Sequence, residues 1–177
     1  TTVAARKITL GSVVDRIGAL LDGLPANRTS LSTPALPAAA EAALLWALRS
    51  HFDRPLVWIC DGQESLETMH QDLLGMAPAT IAPVLYLPPW STIPTPSDPP
   101  DVEIAGHRLN VLATLDANRA SPGPAPVIVT CIQALLPRTL HPESLRARTR
   151  FLACGTEVDP TTLVEALAAD GYELGHV

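Results

Sequence analysis

Three short apolar runs, "PLVWIC" (55–60), "PVLYL" (83–87) and "PVIVTC" (126–131), constrain this chain more than anything else in it. Each has the length of a strand and opens on a proline. Between them stand two segments with helical spacing, "GQESLETMHQDLLGM" and "VEIAGHRLNVLATL". Strands that alternate with helices pair in parallel through right-handed crossovers, so the predicted class is α/β, a parallel sheet flanked by helices. The continuous apolar character of "PLVWIC" predicts a strand buried on both faces.

Upstream, "ITLGSVVDRIGALL" spaces Ile8, Val13, Ile17, Leu20 and Leu21 as one face of an opening helix that stops at Gly23 and Pro25. "RTSLST" predicts a short first strand. The alanine-rich "PALPAAAEAALLWALRSHF" follows as a helix with Ala40, Leu44, Ala47 and Leu48 on its inner stripe. After "PVIVTC" the pattern changes. Pro137 and Pro142 break "IQALLPRTLHPESLRART" into two short helical pieces, and "RFLACGTEV" predicts a strand with a turn at Gly155. Asp159 and Pro160 then form an N-cap and N1 pair for a helix that ends at Gly171. The expected organisation is a first domain over residues 1–148 and the incomplete start of a small α+β second module over 149–177. One strand and one short helix do not stand alone, so this segment is expected to dock on the first domain or to find partner strands in a second copy, giving a dimer.

Charge narrows the function classes. The formal net charge is −6 and Lys7 is the only lysine, so no broad basic surface is available for counterion release from a nucleic-acid backbone. No run of eighteen apolar residues exists, and "TTVAARKITLGSVV" lacks the pattern of a secretory signal, which predicts a cytoplasmic protein with no membrane contact. Cys60, Cys131 and Cys154 are far apart without a Cys-x-x-Cys pair, and they are expected to be three buried thiols.

No catalytic, cofactor or metal residues are expected in this segment. A nucleotide site of this fold class needs a glycine-rich, lysine-bearing loop after its first strand. The corresponding "STPALPAAAE" has neither, and Pro34 and Pro37 each remove an N–H. His51, His70, His107, His141 and His176 lack the spacing that places two ligands on one helical face. Glu64, Glu67 and Asp72 read as the wet side of a helix.

The most unusual stretch is "LPPWSTIPTPSDPPD" (87–101), with six prolines and Trp90. Prolines fix the backbone before folding and reduce the entropy lost on ordering an exposed connection. Trp90 either caps the core or marks a contact surface. His107 and Arg108 follow directly, and Arg108 is expected to tie the loop to its helix by donating to loop carbonyls, or else to meet a partner.

Three stretches carry a family resemblance. They are "LYLPPWSTIPTPSDPPDVEIAGHRLNVLATL", "APVIVTCIQALLPRTLHPESL" and "GTEVDPTTLVEALAADGYE", in that order from about Pro55 to the end. Together they resemble the N-terminal region of bacterial transcription-repair coupling factor, the part related to the excinuclease B protein. The resemblance implies a RecA-like first domain with a degenerate phosphate loop, in agreement with "STPALPAAAE". It also implies a helicase-like parent that uses ATP and magnesium in distant motor domains, displaces stalled RNA polymerase from DNA, and recruits the excinuclease A protein through a complete second domain during nucleotide excision repair. The family's contacts with the excinuclease A protein lie beyond residue 177, so none is carried over. In the excinuclease B protein the segment matching 87–101 is a long aromatic hairpin that clamps damaged DNA; here a short rigid crossing takes its place. A DNA-binding relative of the excinuclease B protein and a standalone α/β enzyme are the competing readings.

Overall fold

The computed structural model describes residue 19 and residues 36–52, 54–76, 83–92, 95, 100–121, 123–172 and 175. The helix expected over residues 8–21, apart from Ala19, and the strand expected over 28–33 lie outside these residues. The chain divides into two compact units, Thr1–Arg138 and Thr139–Val177.

The first unit is α/β. Helix α1 (Ala38–His51) leads to strand β1 (Leu56–Cys60), and helix α2 (Gln63–Met76) leads to β2 (Val84–Leu87). Helix α3 (Val102–Ala120) then returns the chain to β3 (Val127–Cys131), and the single turn α4 (Ile132–Leu135) follows at once. The three strands form a parallel sheet in the order β1-β3-β2. The chain therefore steps out past the β3 position and comes back to fill it.

That order decides which strand is the core. Every residue of β3 is buried, because it has a partner on each side and helices over it. Strand β1 departs from expectation: its burial alternates, and Val57 and Ile59 are each 52% exposed. Of the two apolar runs, only the one with a hydrogen-bonded neighbour on both edges among the described residues is covered on both faces.

Helix α2 lies across all three strands and against α1. Its buried side chains Leu66, Met69 and Leu73 recur at the three-to-four spacing of one helical face, while Glu64 and Glu67 point to solvent. On α1 the buried stripe is Ala42, Leu45 and Trp46, with Ala47 beside it. Ala40 is exposed and Leu44 and Leu48 are half-buried, so the stripe is rotated from the expected one. Helix α1 packs mainly on α2, and Ala42, Leu45 and Trp46 join the core cluster there.

The second unit contains α5 (Pro142–Arg148) and α6 (Pro160–Ala169). The expected strand over 150–158 does not form among the described residues: Phe151 is 94% exposed, and Cys154 and Gly155 make a turn with Gly155 at φ 86°. A strand needs a paired edge, and this unit offers none among those residues. Cys154 is consequently exposed, whereas Cys60 and Cys131 are buried. Helix α6 begins and ends as its sequence dictates. Asp159 accepts from Thr161 N at 3.1 Å, Pro160 opens the first turn, and Gly171 at φ 95° closes the last one. Its N-terminal approach is also tied: Arg150 Nη2 donates to Asp170 Oδ2 at 2.7 Å.

Neighbouring leucines on α2 give a direct check of this packing. Leu73 is fully buried and Leu74 is 46% exposed. Leu73→Ala is expected to cost about 2–5 kcal/mol of unfolding free energy and Leu74→Ala about 0.5 kcal/mol or less, measured by urea denaturation.

Candidate functional site: the arginine clasp

The proline loop leaves the carboxyl end of β2 and enters α3, so its two ends are held by the sheet and by a helix start. Asp101 caps that start, its Oδ1 accepting from Glu103 N at 2.8 Å and from Ile104 N at 3.2 Å. This satisfies two of the N–H groups that the first turn leaves without partners. From there Ile104, Arg108, Val111 and Leu115 follow at helical spacing along the inner face of α3. A cation thus occupies a place in an apolar stripe.

Arg108 is only 4% exposed. Its Nη1 donates to the carbonyl oxygen of Pro88 at 2.7 Å, and its Nη2 donates to that of Ala134 at 3.1 Å. The guanidinium carbon lies 4.8 Å from the centre of the Trp90 ring. Two main-chain carbonyls and an aromatic face stand in for the carboxylate that usually accompanies a buried cation. Burial lowers the arginine's pKa from its ordinary value, with the Cys131 thiol opposing. It stays charged at neutral pH.

The neighbouring strand ends belong to the same network. Thr130, the one hydroxyl in β3, is fully buried and donates to the carbonyl oxygen of Leu87 at 3.0 Å. Successive carbonyls of the chain leaving β2, those of Leu87 and Pro88, are therefore taken by Thr130 and Arg108. The proline ring at 88 supplies no N–H to compensate, so these side chains satisfy a stretch that could not extend the ladder. Trp90 and Arg108 are brought together, with Trp90 half-buried. His107 points elsewhere on the same helix: its ring meets Tyr86 edge-on at 5.3 Å, and its Nε2 lies 3.9 Å from Glu103 Oε1. Tyr86 in turn lies 4.9 Å from the ring of His70 on α2. Sequence reasoning singled out Trp90, His107 and Arg108 but missed Tyr86, His70 and Thr130. Of these only Thr130, a hydroxyl inside an apolar run, carried a signal.

A separate cleft of about 810 Å³ opens where β1 ends and α2 begins, bounded by the first turn of α1. Glu41, Asp61 and Glu64 line it together with Trp58, and among the described residues no basic side chain does. Ser65 Oγ donates to Asp61 Oδ1, which holds the Asp61 carboxyl below its ordinary pKa. Such a lining repels phosphate. Cys60 forms part of the floor, and burial, followed by the nearby Asp61, Cys131 and Glu41, pushes its thiol up to about 11. Its thiolate is accordingly scarce at neutral pH. Among the described residues no group of three or more His, Cys, Asp or Glu side chains is placed to hold a metal ion, and no helix is long and apolar enough to cross a membrane.

Two outcomes are expected. Arg108→Ala should cost about 2–4 kcal/mol, because it strands two carbonyls and removes packing, and Arg108→Met should cost less because it refills the volume; urea midpoints measure both. With a thiol reagent at pH 8 the folded chain should react rapidly at Cys154 alone, and Cys60 and Cys131 should react only after denaturation, as read by mass spectrometry of peptides.

No protein-family model matches this chain, and no curated protein or solved structure matches it.

Proposed function

We propose that this chain is a non-catalytic module of a transcription-repair coupling factor, with its first unit a RecA-like domain that has lost nucleotide chemistry. One observation carries the reading. The segment between β2 and α3 is the one that in a relative of the excinuclease B protein would reach out to clamp DNA, and here its start, Pro88 and Trp90, is held against its own domain by Arg108. A loop whose aromatic face is already occupied by a guanidinium is poorly suited to stacking on bases.

Two further features support it. Pro37 stands at the N-cap of α1 with no side-chain cap, and among the described residues the neighbouring cleft carries Glu41, Asp61 and Glu64, which disfavour a phosphate beside that helix start. The net charge of −6 opposes DNA binding through the backbone. On this reading the module is cytoplasmic, ATP and magnesium act in motor domains elsewhere in the parent, and the excinuclease A protein is met through a complete second domain. RNA polymerase and DNA are met by other parts of the parent.

Titration with a fluorescent ATP analogue and magnesium should give no saturable binding, and a lesion-containing duplex at physiological salt should not be retained. Micromolar binding displaced by unlabelled ATP would favour the enzyme reading, and sub-micromolar, lesion-dependent DNA binding would favour a DNA-clamping relative of the excinuclease B protein.

A further inference from the structure

Three rings meet where α2, β2 and α3 come together, and two of them are imidazoles. His70 on α2 is half-buried with its ring 4.9 Å from that of Tyr86 on β2, tilted by 32°. Tyr86 meets His107 on α3 at 5.3 Å and 85°. One tyrosine on the edge strand thus touches an imidazole from each of the two helices that pack on it. The next residue along α3 is Arg108, whose hydrogen bond to Pro88 and contact with Trp90 hold the proline loop.

We propose that the His70–Tyr86–His107 stack is a proton-operated latch: charging its imidazoles loosens the seating of α3 on β2, and with it the hold of Arg108 on the Trp90 loop. This stands independently of the repair reading, since it needs only the ring contacts and their place beside the clasp. The chemistry is set by what surrounds the rings. On α2, Glu67 acts on Tyr86, and on α3, Glu103 acts on Tyr86 and lies 3.9 Å from His107. Cys131 faces Tyr86 from β3. His107 is exposed, with Glu103 one helical turn away. His70 is half-buried, and burial, then the charge of His107, lowers its pKa from the ordinary 6.5.

The direction of the effect follows. The unfolded chain protonates His70 near its ordinary value and the folded chain only at lower pH, so the unfolded state binds more protons in between. Stability is complete above pH 6.5, falls as the pH drops below that value, and stops falling once the folded His70 is also charged. The carboxylates held low, Asp61 and Asp159, act only near and below their ordinary 3.8, so the window from pH 6.5 down to about pH 5 belongs to His70.

The test uses the full chain with fluorotryptophan at its three tryptophans, the Trp90 resonance being assigned by Trp90→Phe. Urea midpoints at pH 7.5, 6.0 and 5.0 should fall for the wild type and should be nearly level for His70→Gln. The Trp90 fluorine resonance should move over the same pH range in the wild type and stay in place in His70→Gln. Equal slopes in the two proteins, or a Trp90 resonance that does not respond between pH 7.5 and 5.0, would overturn the proposal. Should His70→Gln not fold, the imidazole carbon-bound protons of the wild type decide it: a His70 midpoint below 6.5 that coincides with the Trp90 shift supports the latch, and a midpoint at or above 6.5 refutes it.

Discussion

Desolvating a guanidinium is costly, and the first unit is arranged so that Arg108 does not bear that cost alone. Its donors reach Pro88 and Ala134, which sit just beyond the carboxyl ends of two adjacent strands. One side chain therefore joins three pieces that the sheet itself leaves unconnected: the exit of β2, the turn after β3, and the body of α3. Thr130 makes a second tie between the same strand ends through Leu87. The sheet ladder fixes the strands relative to one another along their length, and these two polar side chains fix what leaves them. Pro88 has no N–H with which to extend the ladder, so these side chains anchor the start of the proline-rich connection where the sheet cannot.

Much of the first unit was legible because its signals are local and mutually consistent. The runs "PVLYL" and "PVIVTC" became β2 and β3, and parallel pairing followed from the helices between them. Asp159 and Gly171 acted as the punctuation their chemistry demands. What failed depended on neighbours distant in sequence. "PLVWIC" and "PVIVTC" are alike in composition, yet among the described residues only the second lies between two strands, and no periodicity within six residues can say which of them is flanked. The "RFLACGTEV" strand failed for a related reason: propensity proposes an extended segment, and only a pairing edge makes a strand of it.

The site was legible in part. Arg108 drew notice by its position after a rigid loop, and donation to a loop carbonyl is what its fork of N–H groups can offer. Its second acceptor, on Ala134, is invisible in sequence because a main-chain oxygen carries no residue signature. The ring contacts of Tyr86 were hidden in the same way. They arise because an edge strand lets helices α2 and α3 approach one side chain, and that meeting is a product of topology.

The clasp has an asymmetry in how it tolerates change. Its acceptors at 88 and 134 are backbone oxygens, so almost any side chain at those positions would leave the oxygens available, provided the main chain keeps its course. Its donor is a single long, forked side chain with no duplicate nearby. A lineage of such proteins is thus free to rewrite the lettering at 88 and 134 while Arg108 on α3 and the aromatic face of Trp90 stay under constraint, and two such chains could share a loop path with little of its sequence in common.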